Sequence, residues 1–215
     1  MKEKLVINKD SKLFPLITAL FAVSLGASLV SSFLMLAGSS ISIDGKFEWS
    51  APQLAGILLL SGASFALVVS CIRPARKGLW YLIALAFGWV RALASCLESY
   101  ILNSRYYEGD YPLYRILLNV IPLAIELAVI LIFALTVFGV IKKRTPALVM
   151  FAIELGRSVL MSVLSTVFTL GMNNILINGE GGALYIAGTL ISCLGLASSV
   201  AYLLLMFTFE KETEN

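Results

Sequence analysis

A chain of 215 residues that is 59% hydrophobic and only 13% charged lacks the polar surface a water-soluble fold of that length needs, which excludes a soluble domain and points to a bilayer. Its net charge of +3 comes with no run of lysines and arginines interleaved with aromatics, so a groove tracking the phosphates of nucleic acid is excluded too. The lack of any histidine removes Ser-His-Asp and Cys-His nucleophile arrangements and the histidine zinc motifs together.

A hydrocarbon core about 30 Å thick is crossed by roughly 20 apolar helical residues. Six runs reach that length: 13–37, 54–72, 79–102, 116–141, 147–171 and 183–209. They are too long and too continuously apolar for barrel strands, whose side chains alternate between lipid and lumen. The expected fold is therefore all-α, a polytopic six-transmembrane-helix bundle forming a single membrane domain over 1–215, with tails at 1–12 and 210–215.

In chain order, Lys2, Lys4, Lys9 and Lys12 precede a first run too long for the about 7–15 residue core of a secretory signal, so a retained helix is expected. The second run carries Ala55, Gly62 and Ala66, a small-residue seam for close helix approach, and is followed by Arg73, Arg76 and Lys77. The third opens with Trp80 and Tyr81 at headgroup level, and places Gly88, Arg91, Ser95 and Glu98 on one helical face. Tyr100, Tyr106, Tyr107, Tyr111 and Tyr114 crowd the loop beyond it. In the fourth run Asn119, Pro122 and Glu126 share a face, and Pro122, which lacks a donor, frees the Leu118 carbonyl and predicts a kink. After Lys142, Lys143 and Arg144, the fifth run lines up Glu154, Ser158, Ser162, Ser165 and Thr169, with Arg157 one turn from Glu154. A loop with Gly179-Glu180-Gly181-Gly182 reads as a flexible turn before the sixth run, whose Gly188, Ser192, Gly195 and Ser199 form a second packing seam. Cys71, Cys96 and Cys193 lie within apolar runs without metal-ligand or C-x-x-C spacing and read as small hydrophobes.

Basic loops resist translocation, so their distribution orients the chain. Eleven lysines and arginines fall on the side of the two tails, against Lys46, Arg105 and Arg115 on the other, which places both termini in the cytoplasm.

Five ionisable residues fall inside the runs: Arg91, Glu98, Glu126, Glu154 and Arg157. At about 1.5 Å per residue from the cytoplasmic ends, Arg91 lies roughly 18 Å deep, Glu126 roughly 22 Å, Glu154 roughly 11 Å and Arg157 roughly 15 Å, while Glu98 nears the outer edge. A charge at the bilayer centre costs about 2.5–3.5 kcal/mol on insertion scales, so these groups need partners, water or a function. One reading pairs Arg91 with Glu126 and Arg157 with Glu154 as structural ion pairs, in a non-catalytic accessory or assembly subunit, with a partner subunit or a homo-oligomer as a further possibility. The other lets Glu126 or Glu154 exchange protons or bind a small solute while an arginine tunes it, as in transport or proton-linked translocation. An enzyme is not expected: no nucleophile stands beside a base, no glycine loop cradles a phosphate at a helix start, and no metal or cofactor is implied.

One stretch also carries a resemblance. Gly78-Leu79-Trp80-Tyr81-Leu82 opens a span with Arg91 further in, and Phe138 followed by Lys142-Lys143-Arg144-Thr145-Pro146 closes the span that contains Glu126. From Gly78 to about Phe209 this resembles a domain-of-unknown-function family of small four-helix bacterial inner-membrane proteins. The resemblance covers spans three to six and leaves the first hairpin as an addition. It implies a bacterial inner membrane and no established activity.

Overall fold

The computed structural model describes residues 3–8, 10–39, 51–72, 78–106, 113–176, 187, 190–191 and 193–213. Within them the chain is helical apart from a two-stranded sheet. The order is β1 (Glu3–Ile7), α1 (Phe14–Ser39), α2 (Ala51–Ile72), α3 (Leu79–Tyr106), α4 (Leu113–Val137), α5 (Thr145–Leu176), a 3-10 turn at Cys193–Gly195, α6 (Leu196–Phe207) and β2 (Phe209–Thr213). Among the described residues four helices are long and apolar enough to cross a membrane, through Phe14–Ser31, Leu79–Leu97, Val120–Val137 and Thr145–Leu164. Ala55–Ser70 and Cys193–Phe207 are shorter apolar helical stretches. The tyrosines at 107 and 111, the basic residues at 73, 76 and 77, Lys46, Gly188, Ser192 and the glycine run at 179–182 lie outside the described residues.

The distribution of polarity suits lipid. Leu58, Phe65, Leu131 and Val167 are exposed on helix surfaces, while Ser24, Ser31, Ser70 and Thr136 are buried. Contiguous exposed apolar surface is unfavourable in water, and buried hydroxyls need acceptors. Both conditions are met by a bilayer and by local bonding: Ser70 Oγ donates to the Leu67 carbonyl at 2.6 Å and Thr136 Oγ1 to the Ile132 carbonyl at 2.9 Å.

The chain divides into two compact units. The first comprises Met1–Lys9, Ser50–Met150 and Phe209–Asn215, and so contains α2, α3, α4 and both strands. In it α2 packs along α3, and the expected seam is real at two positions. Ala66 is buried, and Gly62 leaves room for the Phe87 ring, whose edge would lie 3.1 Å from an added Cβ.

The tails are not the plain segments that their charge suggests. β1 pairs antiparallel with β2, Val6 opposite Glu210 and Ile7 opposite Phe209. Leu5 and Ile7 are buried while the intervening Val6 is half-buried, the period of two that a half-covered strand shows. The missed signal was short: Leu5-Val6-Ile7 is a three-residue apolar run flanked by charges, too brief to register beside runs of 20. Phe209 meets Phe133 of α4 edge to face, with centroids 6.4 Å apart.

Gly78 joins this sheet to the helices. It starts α3 at φ +66°, and an added Cβ would lie 3.2 Å from Ile7 Cδ1, 3.6 Å from Val137 Cγ2 and 3.7 Å from Phe209 Cζ. An L-residue pays about 1–2 kcal/mol for that left-handed conformation before any crowding. Gly78→Ala should therefore lower the thermal midpoint of the detergent-solubilised protein by several degrees. An unchanged midpoint would show that the backbone relaxes out of this geometry.

α4 ends at Val137, four residues before the expected boundary, because Gly139 at φ +74° reverses the chain. The Val140 N–H donates to the Leu135 carbonyl at 2.9 Å and the Gly139 N–H to the Thr136 carbonyl at 3.1 Å, the paired bonds of a Schellman motif. α5 then starts at Thr145, with Pro146 in the first turn, where a missing N–H costs nothing.

The second unit comprises Asp10–Trp49 and Phe151–Thr208. Ile17, Phe21, Ser24, Ala27 and Ser31 form one buried face of α1. Tyr202 of α6 meets Phe21 edge-on at 4.9 Å and stacks on Phe151 of α5 at 5.4 Å. Ser24 Oγ donates to the Gly195 carbonyl at 3.3 Å, but nothing lies within 4 Å of a Cβ added at Gly195, so the close approach expected at this glycine of the sixth seam is not seen. The sixth run ends as helix at Phe207 instead of 209; Thr208 donates through both N–H and Oγ1 to the Leu205 carbonyl, and the chain turns into β2.

Candidate functional site

The fifth span supplies the best-defined polar group. Helical geometry places Glu154, Arg157 and Ser158 on adjoining turns, and the side chains close on one another. Arg157 Nε donates to Glu154 Oε2 at 2.9 Å and Nη2 to Oε1 at 2.5 Å, while Ser158 Oγ donates to Oε1 at 3.1 Å. The carboxylate is thus held side-on by the guanidinium fork and receives a third donor. The pair is largely enclosed, with side-chain exposures of 20% for Arg157 and 14% for Glu154. Further along the same helix Ser162 and Thr166 are half-buried, and Thr166 Oγ1 lies 3.4 Å from Cys193 Sγ. The polar face of α5 therefore reaches the turn before α6.

In the first unit, α3 and α4 carry Arg91 and Glu126, both half-buried. The helices are joined by the indole of Trp89, whose Nε1 donates to the Leu123 carbonyl at 3.0 Å. In the sequence the signal is the tryptophan in mid-span itself, since its N–H needs an acceptor when buried. The six residues between α3 and α4 are too few to carry the chain back along a 28-residue helix, so the two run in opposite senses. Arg91 lies two residues beyond Trp89 and Glu126 three beyond Leu123, in opposite directions, which separates them by roughly 8 Å along the axes. At about 100° per residue Arg91 sits roughly 200° around α3 from Trp89, away from the face that meets α4.

Gly88 and Ser95, on the face of Arg91, are exposed, and the space beside Gly88 is open. α4 continues as helix through Pro122, which is half-buried. The side chains of Glu98, Asn119, Ser165 and Thr169 lie outside the described residues. Among the described residues no cluster of three or more Cys, Asp or Glu side chains is placed to hold a metal ion.

No family model, curated protein or solved structure matches this chain. The resemblance over residues 78–209 rests on its sequence motifs alone.

Proposed function

We propose that this is a six-span integral membrane protein of a bacterial inner membrane, with both termini cytoplasmic, that moves a small solute or couples solute movement to protons. The observation that carries the reading is the Trp89–Leu123 bond, which sets the Arg91 helix against the Glu126 helix at mid-span. Each of the two helices carries an ionisable, half-buried side chain within its span, where the cost of insertion calls for a partner, water or a function. The midplane site in this reading comprises Arg91 and Glu126, with Ser95, Asn119 and Pro122 on the same faces. Glu154, Arg157 and Ser158 form an internally bonded group on α5. No catalytic step is assigned to any of them.

Pairing of β1 with β2 supports the topology, because two ends of a chain that share one sheet lie on one side of a membrane, as an even number of spans requires. The basic segments favour the cytoplasm for that side. Fusions of a fluorescent protein and of alkaline phosphatase to the C-terminus should give fluorescence and no phosphatase activity. The opposite pair of results would overturn the orientation. For transport, proteoliposomes holding the full-length protein should show flux that depends on an imposed proton or solute gradient, above that of empty vesicles.

A second reading has its own observation. The Glu154–Arg157 fork is complete on one helix, with Ser158 filling a further acceptor site. Such a pair needs no solute, and suits an accessory or assembly subunit whose charges fix helix packing. Absence of flux under every gradient, together with co-purification of a fixed partner, would favour it.

A further inference from the structure

The turn between α4 and α5 has a shape that the membrane reading above does not use. It connects two helices that are each long and apolar enough to cross a bilayer, so in a membrane it lies at the surface. The Schellman bonds at Leu135 and Thr136 hold the turn in one conformation, and Gly139 at φ +74° reverses the backbone between Phe138 and Val140. Both are turned outward, Phe138 64% exposed and Val140 67% exposed, in a segment where neither is needed by the core. Lys142, Lys143 and Arg144 follow at once, all exposed, and the first turn of α5 contains no acidic residue to oppose them.

We propose that residues 138–144 form a binding surface for anionic phospholipid, with the rings and methyls of Phe138 and Val140 seated at the acyl boundary and the three cationic groups on the headgroup phosphates. Charge complementarity selects this occupant: clustered Lys and Arg beside a transmembrane helix attract acidic lipids, and an exposed aromatic beside them matches the apolar layer just beneath. Soluble anions satisfy only the basic half of the surface. A polar or acidic protein segment would leave Phe138 and Val140 against water.

The shared chemistry of lipid headgroup and free phosphate sets the experiment. Full-length protein in detergent micelles is equilibrated with equal amounts of phosphatidylglycerol and phosphatidylcholine, and the lipids retained are counted by native mass spectrometry. Phosphatidylglycerol should be retained in preference by at least about ten-fold, and each of Lys142→Gln and Lys143→Gln should lower that ratio by about five-fold. The single variants keep two of the three charges, so they test the surface even where the triple glutamine variant fails to insert. Inorganic phosphate at millimolar concentration should displace little of the bound lipid. A ratio near one, a ratio indifferent to both variants, or full displacement by inorganic phosphate would each overturn the proposal.

Discussion

Replacing Glu154 with glutamine should destabilise the full-length protein by about 2–3 kcal/mol and sharply lower its abundance in membranes, whereas replacing Glu154 and Arg157 together with leucine and methionine should cost less than either single change. The reason lies in what each substitution leaves behind. Arg157 gives two donors to Glu154, at 2.9 and 2.5 Å, so removing the acid takes two bonds from a guanidinium inside a span. Breaking a buried pair costs about 3–5 kcal/mol, and the residual exposure of 20% and 14% places this pair at or below the lower end. An arginine at mid-bilayer carries a similar insertion cost on its own. The double substitution removes both charges and leaves apolar side chains where lipid or neighbouring helices can accept them. Thermal unfolding in detergent and quantitative membrane blotting measure the two effects, and the coupling between the sites follows from the four-member cycle. Additive losses, with the double variant as poor as the sum of the singles, would remove the ion pair from any account of how this helix is held.

Much of the helical architecture was legible because a bilayer imposes a length, and runs such as 79–102 and 147–171 satisfy it without competing polar signals. The observed α3 and α5 contain those runs and extend beyond them, to Tyr106 and Leu176. The pairing of Glu154 with Arg157 was legible for the same reason, since a spacing of three residues fixes neighbours before any tertiary contact exists. What failed to show was everything set by contacts distant in sequence. The β1–β2 ribbon joins residues at opposite ends of the chain, and a strand of five residues such as Glu3–Ile7 leaves little periodicity to detect. The Trp89–Leu123 bond depends on two helices aligning to within a residue or two, which composition does not encode. Gly139 could have been read as a helix stop, but the apolar residues on either side hid it. A hydrophobic run measures span length well and helix ends poorly, because the residues of a turn at the headgroup boundary are apolar too.

Glu126→Gln is expected to leave the fold intact and to reduce gradient-driven flux by at least about a hundred-fold, the lower end of what a positioned proton-transfer group supplies. The substitution is nearly isosteric, so the helix contacts around it persist, including the Trp89 bond to Leu123 one turn away. What it removes is a half-buried carboxylate within the span of α4. Arg91→Gln should act differently. It leaves the acid of α4 in place, so flux should fall less than in Glu126→Gln while abundance holds. A structural role predicts neither result: there, the singles should lose abundance and exchanging the charges as Arg91→Glu with Glu126→Arg should restore it. Unchanged flux in Glu126→Gln, beside wild-type protein that does conduct, would place the path elsewhere in the molecule. Wild-type protein indistinguishable from empty vesicles would leave Arg91 and Glu126 as packing groups, and the subunit reading would then account for all four charges.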